Sequence, residues 1–449
     1  MSPCTFDDAL PRALAHVRDA FAGIDIAKVR FIRDMNGRVH VVLPDAADQA
    51  EVMAVRPHLA DALGAYSPGA DTGLMRVSET LSGATLMEEP CLVLDIDGTL
   101  IRLIERRVVG QDWALAPEMP SATMAGHPPR VAFFSLKGGV GRSTALFLWG
   151  RELAAAGKRV LLLDLDLEAP GLGAQLLPDE SRPEFGVVDW LAEDLVGNPV
   201  AEAMLREEQA LIARSPLADS GYLYVAPATG RRTAEHPGGY IAKLARAYLD
   251  TDRGDGEGFA ARVRRLLEGL ERALEPDVVL IESRAGLHET AAAGILHLNA
   301  DVLLFATDQP TVWEGYRYLL AQLAQMAHFR PAGDEDDWRL RLKMVYARAS
   351  EQQDAVDGFR SRAYQLWLDC LYDEQPAGAA EEAFSFSETD DAAPHFPLQI
   401  LNDPRFEQFN PLEHLSTVGA GAIASSFGPF MAALNERIFG AAEEVADDG

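Results

Sequence analysis

The stretch Lys137-Gly-Gly-Val-Gly-Arg-Ser-Thr144 carries the residue types and spacing that most directly encode chemistry. The apolar segment Val131-Ala-Phe-Phe-Ser135 leads into it, and an apolar run through Leu146, Phe147, Leu148 and Leu153 follows it. Strand, glycine turn and helix in that order make a phosphate cradle. Gly138, Gly139 and Gly141 have no Cβ, so the backbone can aim successive N–H groups at one anion, and a helix beginning near Ser143 adds its positive dipole end. Ser143 stands where a hydroxyl would ligate Mg²⁺. The strict pattern G-x-x-x-x-G-K-[ST] is not met, because Leu136 replaces its first glycine and Arg142 its lysine.

Carboxylates recur at the ends of two later apolar segments. Arg159-Val-Leu-Leu-Leu-Asp164-Leu-Asp166 reads as a buried strand with two aspartates at its carboxyl end, and Val278-Val-Leu-Ile-Glu282-Ser283 as another with one glutamate. In open α/β sheets ligands sit beyond the strand C-termini, where these groups fall. Aspartates after a strand also serve as caps and turn formers, and their types alone leave both roles open.

The glycine stretch resembles the deviant Walker A motif, K-G-G-x-G-K-[ST], of the ParA/MinD family of P-loop ATPases in the SIMIBI class, with Lys137 as the signature lysine. Arg142 makes it similar to the K-G-G-V-G-R variant branch, and Ser283-Arg284 matches the D-S-R wording of relatives with such loops. The resemblance covers about residues 130–440 and implies ATP and Mg²⁺ as cofactors. It implies that Gly138, Gly139, Val140, Gly141, Arg142, Ser143 and Thr144 hold the phosphates, and that Lys137 reaches across a nucleotide-sandwich dimer to the partner's γ-phosphate. By the same resemblance Asp166 orients the attacking water, Asp164 lies near the Mg²⁺ shell, and Glu282 takes the place of the family's aspartate in that shell. Arg348, after a late strand, is the implied base contact, and Pro404 belongs to a loop that closes over adenine.

Two functions follow from the resemblance. One is a slowly hydrolysing, ATP-dependent homodimeric switch that recruits or regulates an unidentified protein partner. The other is a non-cycling, nucleotide-bound subunit of a multicomponent prokaryotic defence or signalling system. Arg142 and Glu282 favour the second: a planar fork is no equivalent of a compact ammonium, and an extra methylene shifts the carboxylate. Lys137 and Asp166 favour the first.

The elements that must position these groups read as strands alternating with helices, hence a mostly parallel, doubly wound P-loop sheet flanked by helices over residues 130–440. A small α+β domain over residues 1–115 precedes it, a Pro-rich linker over 116–129 joins the two, and an acidic tail over 441–449 ends the chain. The first domain predicts helices near 7–23 and 46–64 and a hairpin at Asn36-Gly37. Its Asp95-Ile-Asp97-Gly98-Thr99 matches the nucleophile motif of haloacid-dehalogenase-type phosphatases, yet strand Leu92–Ile96, an Asp97-Gly98 turn and a return strand Leu100–Val109 explain every residue. Further expectations are helices over Glu202–Ile212 and Phe259–Leu274, the latter's Arg262, Arg264, Arg265 and Arg272 forming a solvated face. Residues 372–395 read as a mobile acidic loop.

With 69 acidic against 40 basic residues, the net charge of −29 opposes broad attraction to nucleic acid or anionic lipid, which disfavours nucleic acid as a direct ligand. No apolar run approaches a membrane span, and the first residues lack a signal pattern, so a cytoplasmic protein without a membrane partner is expected. Cys4, Cys91 and Cys370 are too dispersed for a disulfide framework or a zinc site.

Overall fold

The computed structural model describes the chain apart from residues 1–2, 82, 90, 108–109, 116–125, 208, 219–220, 250–257, 327–336, 374–382 and 447–449. It divides into two compact units, the first taking Met1–Pro117 and the second nearly all the remainder.

In the first unit, apolar residues at helical spacing build the helix Phe6–Ala20, which buries Leu10, Leu14 and Val17. The Asp8 carboxylate accepts from the Thr5 backbone N–H at 3.0 Å and tightens the first turn. With the helix Gln49–Leu63 it accompanies a five-stranded sheet of β1 (Arg30–Arg33), β2 (Val39–Leu43), β3 (Leu74–Arg76), β4 (Leu92–Ile96) and β5 (Thr99–Glu105), in the order β3-β2-β1-β5-β4. The β1/β2 connection is a five-residue loop rather than an Asn-Gly turn. The Asp34 carboxylate accepts from the backbone N–H groups of Asn36 and Arg38, both at 2.9 Å, and so holds the reversal itself. Asp97 and Gly98, at φ 50° and 77°, form the two-residue turn between β4 and β5. Asp95 accepts from the Gly98 N–H at 2.7 Å, so the phosphatase-like aspartates are turn chemistry. The return strand is Thr99–Glu105, and Val108–Val109 lie outside the described residues.

The second unit is built on an eight-stranded sheet: β6 (Arg130–Ser135), β7 (Arg159–Leu165), β8 (Ala213–Arg214), β9 (Tyr222–Ala226), β10 (Val278–Ser283), β11 (Asp301–Ala306), β12 (Leu342–Ala349) and β13 (Leu398–Leu401). The order is β13-β12-β11-β6-β10-β7-β9-β8, and only the β8/β9 pair is antiparallel. The central strands are continuous apolar runs because helices cover both faces. Phe133 and Phe134 show this directly: their side chains leave opposite faces, Phe133 meeting Trp149 of the helix Arg142–Ala155 and Phe134 meeting Tyr316 of the helix Pro310–Ala324. The fold class is therefore the doubly wound, mostly parallel α/β sheet that the alternation predicts.

Several local expectations change. The helix in the Glu202–Ile212 region spans only Val200–Arg206, because the chain then leaves for the edge strand β8. Arg262 is no part of a solvated face. It is fully buried, donating to Asp194 at 2.9 Å and to the carbonyls of Ala247 and Leu249 at 2.9 and 2.8 Å. Of the acidic segment 372–395, residues 374–382 lie outside the described residues, while the rest folds in. Tyr372, Phe384 and His395 are buried together, and the Lys343 ammonium donates to the carbonyls of Asp391 and Ala393 at 2.7 and 2.8 Å. The last helix, Ala420–Ala446, extends into the expected tail; it buries Phe427, Phe430, Met431 and Leu434 in the core that also holds Phe133 and Trp149. Most of the linker lies outside the described residues. Among the described residues, no single helix is long and apolar enough to cross a membrane.

Candidate functional site

The fully buried β6 delivers Ser135 to the end of the sheet, and the chain then turns through Leu136–Gly141 into the helix that starts at Arg142. Gly139 and Gly141 stand at φ 73° and 89°, a left-handed backbone that side chains resist. A Cβ on either would meet nothing within 4 Å, so the backbone angle rather than crowding selects glycine there. The loop thus keeps an open side facing the cleft.

Sheet order brings the acids to it. β10 lies between β6 and β7, and the ladder sets Glu282 beside both Phe133 and Asp164. In-register parallel neighbours present side chains on one face, so Glu282 and Asp164 adjoin under the helix that follows the glycine loop. Arg142, its first residue, is buried among them. Its guanidinium donates to Ser135 Oγ at 3.1 Å, Asp166 Oδ2 at 3.1 Å and Glu282 Oε1 at 3.3 Å. The Ser143 hydroxyl donates to the same Glu282 oxygen. Asp164 accepts from the backbone N–H groups of Asp166, Gly171 and Leu172 at 3.0, 3.3 and 3.2 Å, folding the loop after β7 back on itself.

Two carboxylates, Asp166 and Glu282, thus share one guanidinium, with Asp164 buried beside Glu282. Burial pushes Asp164 well above the usual carboxylate range, the adjacent Glu282 charge adds to it, and the backbone donors do not offset this. Burial also raises Asp166 and Glu282, against the pull of Arg142 on each. Glu282 Oε2 and Asp166 Oδ1 are buried and have no hydrogen-bond partner among the described residues. An acid-rich pocket with orphaned acceptors and a neighbouring hydroxyl suits a divalent cation. Among the described residues no cluster of three or more His, Cys, Asp or Glu side chains could hold a metal alone, so a cation here would take further oxygen ligands from water or a bound group.

The remaining candidates spread around the cleft. Val140 and Thr144 line it, and so do Gly138, Gly139 and Gly141. Lys137 is exposed, and its ammonium donates to Thr311 Oγ1 of its own chain. Arg348, at the end of β12, has the left-handed φ of 56° and donates to the Gly139 carbonyl at 2.6 Å, so it also braces the glycine loop. Pro404 is absent from the cleft lining, which takes its neighbours Asn402 and Asp403 instead.

Sequence reasoning passed over Glu168. Its Oε1 accepts from Tyr248 Oη at 2.7 Å and lies 2.5 Å from Arg284 Nη1 and 3.2 Å from His288 Nε2. The Asp164-x-Asp166-x-Glu168 alternation was a visible signal, but the partners of Glu168 are 80 or more residues away.

No protein-family profile matches the chain, and no curated protein sequence does. Solved structures of ParA-type proteins are similar to it at low identity. A ParA-family ATPase from Chlorobium tepidum shares 15% identity over 68% of this chain and 98% of its own, with a TM-score of 0.38. The pNOB8 ParA shares 17% over 72% of this chain and 100% of its own, at 0.43, and has a companion structure bound to nonspecific DNA. A Cyanothece McdA variant, solved as an ATP complex, shares 16% over 64% of this chain and 88% of its own, at 0.38.

Proposed function

We propose that the second unit binds ATP with Mg²⁺ in the cleft over the glycine loop and acts as a slowly hydrolysing, dimerising switch that engages a protein partner. One observation carries this reading: the sheet brings Ser143, Glu282, Asp164 and Asp166 together beside a left-handed glycine loop, and leaves buried carboxylate oxygens without partners among the described residues. The loop amides and the start of the helix Arg142–Ala155 bind the phosphates. Ser143 would ligate Mg²⁺, with Asp164 and Glu282 reaching its shell. When bound, Mg²⁺ neutralises charge on the β- and γ-phosphate oxygens. Asp166 accepts a proton or hydrogen bond from water at its carboxylate and so orients it toward the γ-phosphate. Arg348, beside the loop, contacts the base, and Lys137 leaves Thr311 for the partner copy's γ-phosphate. A cytoplasmic location belongs to the same proposal.

The non-cycling alternative draws on one observation: Arg142 already engages both Asp166 and Glu282, the groups on which turnover depends. Steady-state hydrolysis separates the two. The switch predicts slow phosphate release that Asp166→Ala abolishes while ATP binding persists. Wild-type protein that binds ATP tightly without turnover establishes the alternative.

A further inference from the structure

Two residues beyond each acid of the site stands one half of an ion pair. Glu168 follows Asp166 on the loop after β7, and Arg284 follows Glu282 on the loop after β10, and the two meet at 2.5 Å. A third element joins them: Tyr248, just past the helix Tyr240–Ala247, donates to Glu168, and Tyr240 donates to the Leu167 carbonyl. His288 closes the group, 3.2 Å from Glu168 and edge-on to the Tyr248 ring at 4.9 Å.

The bonding is lopsided. Tyr248, Arg284 and His288 all meet Glu168 Oε1, whereas Oε2 is buried with no partner among the described residues, as is His288 Nδ1. A carboxylate and a guanidinium bind most strongly when both oxygens face the fork. The observed contact uses one oxygen and leaves Oε2, the acceptor that a two-oxygen arrangement would use, without a partner among the described residues. An element with two discrete arrangements is what coupling between sites requires.

We infer that Glu168 is a positioning residue that couples the loop after β7 to the loop after β10 through Arg284, so that the presence of a γ-phosphate is sensed by both loops together. This rests on the nucleotide reading proposed above. Atoms held near the γ-phosphate by Asp166 and Glu282 move the backbone two residues upstream of Glu168 and Arg284, and the ion pair converts two local shifts into one.

The test is equilibrium binding of fluorescent ATP and ADP analogues with Mg²⁺ to the full chain, for wild type, Glu168→Gln, Arg284→Gln and the double variant. Coupling predicts that each single variant lowers the preference for ATP over ADP by about tenfold, that ADP affinity stays within about twofold, and that the double variant loses no more than either single one. Equal weakening of both nucleotides, with a lower melting temperature, marks a structural brace and overturns the inference, as does an unchanged preference in all variants. Wild type that binds neither nucleotide overturns the proposed function and this inference with it. Hydrogen exchange in the nucleotide-free protein gives a readout independent of nucleotide: Glu168→Gln is expected to speed exchange in residues 165–172 and 283–290 alike, and acceleration of the first segment alone overturns the coupling.

Discussion

At the scale of the residue, Glu282 is held in tension. It accepts from Arg142 and Ser143, yet burial still raises its pKa above the ordinary 4.5 of a glutamate. A carboxyl whose folded pKa is raised contributes stability that is complete below the unfolded pKa and is lost as pH rises through the folded one. Glu282→Gln removes that loss. The nucleotide-free variant is expected to melt above wild type at pH 7, and the difference should close as pH falls toward 4.5; a variant that melts lower at neutral pH contradicts the burial argument. The same variant should bind Mg²⁺-ATP more weakly, because Glu282 is among the acids proposed to reach the cation's shell. The individual groups of this pocket were legible in the sequence: the glycines, Arg142, Ser143, Asp164, Asp166 and Glu282 stand in short runs whose chemistry is local. What Arg142 touches was not legible, since its three partners come from three different strand ends.

At the scale of the element, period and turn chemistry located most strands and helices, and errors arose where tertiary partners decide. The helix Phe259–Leu274 is the clearest example. Its arginines looked equivalent by spacing, but Arg262 faces Asp194 and two carbonyls in the interior while Arg272 is exposed. Arg262→Ala is expected to cost about 3–5 kcal/mol in chemical unfolding of the full chain, because it strands buried acceptors. Arg272→Ala should stay within about 0.5 kcal/mol. Equal effects from the two would contradict the buried assignment. The segment after Asp373 misled for the opposite reason: acidic composition suggested a mobile loop, whereas Phe384 and His395 supply apolar contacts that anchor its described part.

At the scale of the whole molecule, the phosphatase-like motif forms a hairpin turn in the first unit, and the proposed nucleotide site belongs to the second. There the sheet order, unreadable from any single motif, makes the site by seating β10 between β6 and β7. A net charge of −29 gives two copies a reason to remain apart until something offsets it, and repulsion between like-charged chains weakens as salt rises. The most direct measurement is sedimentation velocity of the full chain carrying Asp166→Ala, the variant in which the proposed role of Asp166 predicts no turnover, with Mg²⁺-ATP and with Mg²⁺-ADP. An ATP-driven switch predicts a species of twice the monomer mass with ATP and the monomer with ADP. Bound ATP with the same mass under both nucleotides would contradict it.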